Sequence, residues 1–164
     1  MGKRFSSSFD SEVPVEDLFA VLSGEDWAAT KAAHLGDDSR VLSHEVGADG
    51  SVKVVMSRRL PDGVPGVLQK FLPADQRVTT TDSWGPEQGS ARHGTWSAHI
   101  DGAPATLGGT MRIEPLAHGN RYTIEGEVKV SVPLIGGKAE AFIAEQIVRL
   151  AQKERDVVEK VIGS

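Results

Sequence analysis

The sequence predicts an α+β fold: an antiparallel sheet of about seven strands, a long C-terminal helix to cover it, and two short helices after strand 1. Three observations carry this. Period-two alternation of apolar and polar residues recurs through residues 40–132. Pro14 and Gly36 bracket a short helical region near the start. After Gly136-Gly137 the hydrophobic period changes from two to 3.6 and stays there.

Each element has its own signal. "KRFSSSF", residues 3–9, alternates weakly and reads as the first strand. Pro14 opens a helix with Val15, Leu18, Phe19 and Leu22 on one face. Ser23 and Asp26 have capping-box spacing for a second helix, which carries Trp27, Lys31 and Leu35 at four-residue intervals. "RVLSHEV" and "SVKVVMSRRL" flank the short loop "GADG" and form a hairpin. "PGVLQKFLP" is a proline-bounded apolar turn. "RVTTTDSW", "ARHGTWSAHI", "ATLGGTMRIEP" and "RYTIEGEVKVSV" supply four more strands. In the last, Tyr122, Ile124, Val128, Val130 and Val132 share one face, and Glu125, Glu127, Arg121 and Lys129 form a solvated charge ladder on the other. From Lys138 to Ile162 the stripe Ile143, Ile147, Leu150, Val158, Val161 predicts a helix roughly 37 Å long. A helix of that length needs a whole sheet to bury it.

The 164 residues suit a single domain over 1–164. With 39% hydrophobic and 25% charged residues, the chain can build an ordinary core. A net charge of −5 speaks against a general nucleic-acid or anionic-membrane surface. No run approaches a membrane span, so stable membrane insertion is not expected. The absence of cysteine removes thiol nucleophiles, thiolate metal sites and disulfides, and the start lacks the apolar core of a signal peptide. Both fit a cytoplasmic protein.

Phosphate binding at Gly136-Gly137-Lys138 is not supported. Ala139 follows Lys138 where a P-loop needs Ser or Thr, and Glu140 stands where a dinucleotide fingerprint needs its third glycine. The glycine pair instead reads as the corner from which the helix folds back across the sheet, with a backbone role only, and Gly137→Val is expected to destabilise by roughly 1 kcal/mol or more if the φ of Gly137 is positive. His93 and His99 share a strand face but lie roughly 20 Å apart, so no metal is expected. No nucleophile elbow occurs.

The order of elements resembles the helix-grip fold of the START-like (SRPBCC) superfamily. There a curved antiparallel sheet grips the C-terminal helix and encloses a ligand cavity. "RFSSSFD", "KFLP", "WGP" and above all "VKVSVPLIGGKAEAFIAEQ" are similar to an uncharacterised bacterial family within it. That family transfers no catalytic residue. The superfamily implies binding of lipids, sterols, polyketides or quinones, and in some branches cyclase or dehydratase chemistry.

On this reading the ligand wall consists of Trp84, Trp96, Met111, Tyr122 and Ile124, with "PGVLQKFLP" at the mouth. Trp84 and Trp96 fit ordinary core as well as a cavity wall. Gly94 and Gly109 fit room for an indole, a bulge or a cavity, and a plain hairpin register sets Gly109 opposite Trp96. Glu154 interrupts the apolar stripe of the long helix, and helix and strand lengths return it to the Tyr122 end of the sheet. Arg92 and Asp82 fall on the inward face. A polar cluster of Arg92, Tyr122, Glu154 and Asp82 is therefore expected, either as a structural ion pair or as the anchor for a ligand's polar head. The main expectation is binding of a hydrophobic or amphipathic small molecule without cofactor. The rivals are an enzyme using Asp82, Arg92 or Glu154 as acid–base groups, and a protein-interaction module whose partner the sequence does not specify.

Overall fold

A computed structural model describes residues 2–36, 38–59, 64–72 and 76–163. Leu60 and Pro73, the ends of two expected segments, lie outside these residues. The chain runs β1 (Lys3–Ser11), α1 (Val15–Leu22), α2 (Trp27–Leu35), β2 (Arg40–Val46), β3 (Val52–Arg59), a 3-10 turn (Gly66–Leu68), β4 (Arg77–Trp84), β5 (Arg92–Ile100), β6 (Ala105–Pro115), β7 (Asn120–Val130) and α3 (Gly136–Gly163). The seven strands form one antiparallel sheet in the order β1-β7-β6-β5-β4-β3-β2. Hairpins link β2 through β7 in turn. Only β1 reaches its place by crossover, joining β7 along the full length of the strand.

α3 packs against β1 and β7 and touches α1 and α2. Ile143, Val157 and Val158 bury its apolar stripe, while Lys138, Glu145, Arg149, Gln152 and Arg155 face outward. The expected stripe misplaces one residue: Val161 is 40% exposed and Val157 takes the buried place. Ile162, half-buried against the core, continues the stripe to the end of the helix.

Two expected boundaries change their chemistry. Ser23 does not cap α2. It closes α1, its hydroxyl donating to Phe19 O at 2.6 Å, and Asp26 stands at the α2 N-terminus without a side-chain cap. The corner before α3 is not made by glycine either. Leu134 takes the left-handed conformation, φ 72°, while Gly136 and Gly137 already belong to the first turn of the helix. Gly136 is needed for closeness: a Cβ there would lie 2.8 Å from Val130 O. Glu140 fastens the same junction, its buried carboxylate accepting a hydrogen bond from Val130 N at 2.9 Å. The residue that breaks the dinucleotide fingerprint therefore has a structural task.

Candidate functional site

One row across the sheet explains the shape of the interior. Asp82, Trp96, Gly109, Gly126 and Phe5 are register partners on β4, β5, β6, β7 and β1. The Trp96 indole lies across the two glycines, donates Nε1–H to Glu125 O at 3.0 Å and meets the Phe5 ring at 5.8 Å. A Cβ on Gly126 would fall 2.5 Å from the indole, and one on Gly109 would strike the Glu125 carbonyl of β7. The glycines thus admit the indole and let β6 and β7 approach. Gly94 serves Trp84 and Met111 likewise, each 3.1 Å from where its Cβ would be.

Between this face and α3 lies a cavity of about 130 Å³. Trp84, Trp96, Met111 and Ile124 of the sheet line it, opposite Phe142, Ile147 and Leu150 of α3. Leu72 contributes from the segment expected at the mouth. Of the eight sequence-predicted site residues, the cavity gathers Asp82, Trp84, Trp96, Met111, Tyr122, Ile124 and Glu154. A smaller cavity of about 30 Å³ shares Tyr122 and Glu154 and extends toward Phe9 and Asn120.

Arg92 is the exception. Its guanidinium grips Glu16 of α1 with two bonds of 3.0 and 2.8 Å, reaches Gly50 O at 3.4 Å and sits 3.9 Å from the centre of the Phe19 ring. The registers Arg92–Ile113 and Ile113–Tyr122 hold as the hairpins require. α1 nevertheless covers that end of the sheet and supplies a carboxylate, so Arg92 stays out of the cavity. The same contact holds the Glu16 carboxyl below its ordinary range.

The cation of the polar group is Lys31 instead. Its Nζ lies 3.0 Å from Glu154 Oε1, with 7% and 22% of the two side chains exposed, and 5.5 Å from the Trp27 ring centre. The sequence signal was a lysine at four-residue spacing between Trp27 and Leu35 on a buried helix face. Asp82 lies deeper. Burial drives its carboxyl up to about 6, the Lys31 charge acting downward and Glu154 upward. Burial and the charges of Asp82 and Glu154 raise the Tyr122 hydroxyl well above its ordinary value, so it stays protonated. Among the described residues, no hydrogen bond or close ion pair reaches Asp82 or the Tyr122 hydroxyl, and the buried Trp84 Nε1 has no hydrogen-bond partner. Gln146, a further polar side chain on the wall, had no distinguishing signal in the sequence. No group of three His, Asp or Glu among the described residues is placed to hold a metal.

Sheet, helix and the cavity between them define the helix-grip fold, the fold of START-like proteins. Solved structures of this fold cover nearly the whole chain. The Chromobacterium violaceum protein CV1439 matches with a TM-score of 0.63 at 14% identity, over 98% of this chain and 97% of its own. Norcoclaurine synthase from Thalictrum flavum, solved in complex with dopamine and hydroxybenzaldehyde, matches at 0.60 and 13%, over 99% and 87%. Human STARD10 matches at 0.62 and 13%, over 96% and 63%. Within the fold, residues 6–162 match the family of proteins of unknown function DUF2505, to which this chain belongs. An uncharacterized protein of Mycobacterium tuberculosis is 29% identical over 163 residues, 94% of each chain.

Proposed function

We propose that the protein binds a hydrophobic or amphipathic small molecule between α3 and the sheet. One observation carries this: the wall of an apolar cavity holds a half-buried Asp82 carboxylate and a half-buried Tyr122 hydroxyl, and among the described residues neither has a hydrogen-bond partner. Buried polar groups are normally satisfied, and exceptions mark places where something else supplies the partner. The volume favours the compact end of the expected ligands. About 130 Å³ is close to the roughly 150 Å³ of an apolar cavity that accepts benzene. A longer lipid needs α3 to move away from the sheet. A protein of the same fold solved with two single-ring compounds points to the same size class.

The test is a thermal-shift and calorimetric titration with toluene and benzyl alcohol, alongside native mass spectrometry of protein purified from its own host. Saturable stabilisation, weakened by the cavity-filling Leu150→Trp, is the expected result. No stabilisation by any ring compound and no retained small mass would overturn the reading. A second reading, an acid–base enzyme, is favoured by the Asp82 carboxyl standing near neutral beside a protonated Tyr122. Turnover of a retained ligand, abolished in Asp82→Asn, would establish it.

A further inference from the structure

Among the described residues, four charged side chains line the cavity: Lys31, Arg58, Asp82 and Glu154. Lys31 and Glu154 are bonded to each other at 3.0 Å. Arg58 is engaged in its own interaction. It also lies at the other end: Val54 is the register partner of Asp82, and Arg58 is four residues further along β3, roughly 13 Å away. The groups that face Asp82 are Lys31 from α2, Glu154 from α3 and Tyr122 from β7. Together Lys31, Glu154 and an ionised Asp82 carry one net negative charge in a largely apolar enclosure. Among the described residues no hydrogen-bond donor reaches Asp82, and an ionised carboxylate accepts only.

Resting on the ligand-binding reading, we propose that the ligand is a compact apolar amine: a body about the size of one aromatic ring, carrying an ammonium that Asp82 receives. The ammonium supplies the missing cation and donors together, where a neutral hydroxyl supplies only a donor. Anionic heads meet two carboxylates and a single lysine already paired. The Tyr122 hydroxyl, held protonated, keeps both a donor and an acceptor available to a second polar group on the ligand. Trp84 and Trp96 neighbour Asp82 in the register and line the same cavity, giving the ligand's ring an apolar wall.

Binding of benzylamine, benzyl alcohol and benzoate is to be measured by calorimetry on the full chain at pH 7.5. Benzylamine is expected to bind about tenfold or more tighter than benzyl alcohol, the advantage of a charge-assisted hydrogen bond over a neutral one. Benzoate is expected not to bind. In Asp82→Asn the affinity advantage of benzylamine over benzyl alcohol disappears. On the wild-type chain, lowering the pH from 7.5 to 5 carries Asp82 through its value of about 6. Benzylamine itself stays protonated there, so its affinity should fall about tenfold while that of benzyl alcohol does not. Benzyl alcohol or benzoate binding as tightly as the amine would overturn the proposal and leave the ligand-binding reading standing. No binding by any of the three, or by toluene, would overturn both.

Discussion

Lys31 on α2 and Glu154 on α3, 123 positions apart, meet at 3.0 Å beside the cavity. This bond joins the two helices over the sheet and compensates a carboxylate in an apolar stripe. Removing the lysine leaves Glu154 and Asp82 as two partly desolvated carboxylates facing one cavity. Lys31→Met is therefore expected to destabilise the fold by about 2 kcal/mol, below the full cost of breaking a deeply buried pair because Glu154 retains some solvent. The double variant Lys31→Met/Glu154→Gln should recover much of this. Urea midpoints of both variants provide the check. A double variant as weak as the single one would show that the pair is not the source.

Asp82 gives the stability curve a definite sign. Its carboxyl is raised to about 6 in the fold, above its ordinary 3.8, so the unfolded chain releases that proton first. Below about pH 3 the residue is neutral in both states and costs nothing. Between about pH 3 and 6 the cost of ionising it in the fold appears, reaching at most about 3 kcal/mol above pH 6. Asp82→Asn has no such term. The variant should match wild type near pH 3 and exceed its stability by about 1–3 kcal/mol at pH 7.5. Equal stability at both pH values would mean that Asp82 ionises freely.

The fold was legible because periods, not individual contacts, define it. Alternation through β3–β7 and a 3.6 period in α3 fix which faces meet, and hairpin registers follow from loop length. The Trp96–Gly109 and Arg92–Ile113 pairings could be placed on that basis. What alternation does not encode is which helix lies over which end of the sheet. Arg92 points inward as the pattern requires, yet α1 delivers Glu16 to it, and α2 delivers Lys31 to Glu154. Both partners sit on short helices whose docking depends on tertiary packing. Gly109 could be set opposite Trp96 from sequence. Gly126, the third member of that row, was hidden inside an otherwise regular strand.

Gly126 tests whether the glycine row is shaped around the indole. A Cβ there would sit 2.5 Å from Trp96, 2.7 Å from Gly108 O and 3.1 Å from Phe5. Backbone and ring cannot both retreat. Gly126→Ala is expected to cost about 1–3 kcal/mol and to change the tryptophan emission. Trp96→Phe, which shortens the obstructing ring, should soften the penalty in the double variant. An unchanged urea midpoint in Gly126→Ala would show that the row has slack.

The junction before α3 yields a prediction that separates two adjacent glycines. Gly137 has no left-handed φ, and no atom lies within 4 Å of where its Cβ would be. It stands in the first turn of a helix, where glycine mainly adds freedom to the unfolded chain. Gly137→Ala should therefore stabilise by about 0.5–1 kcal/mol. Gly136→Ala should do the reverse, because its methyl would press on Val130 O at 2.8 Å. That carbonyl belongs to the residue whose N–H Glu140 holds, so it cannot move without disturbing the strand–helix lock. Leu134 is the third arm: its φ of 72° carries a side chain that is fully exposed and buries nothing. Leu134→Gly should raise stability by about 1 kcal/mol if conformation is its only cost. Nucleoside triphosphates should leave all four melting temperatures unchanged. Melting curves of the three variants beside wild type decide the matter: a gain at Gly136 or a loss at Gly137 would place the tight approach at the wrong glycine, and a nucleotide-dependent shift would reopen the junction as an anion site.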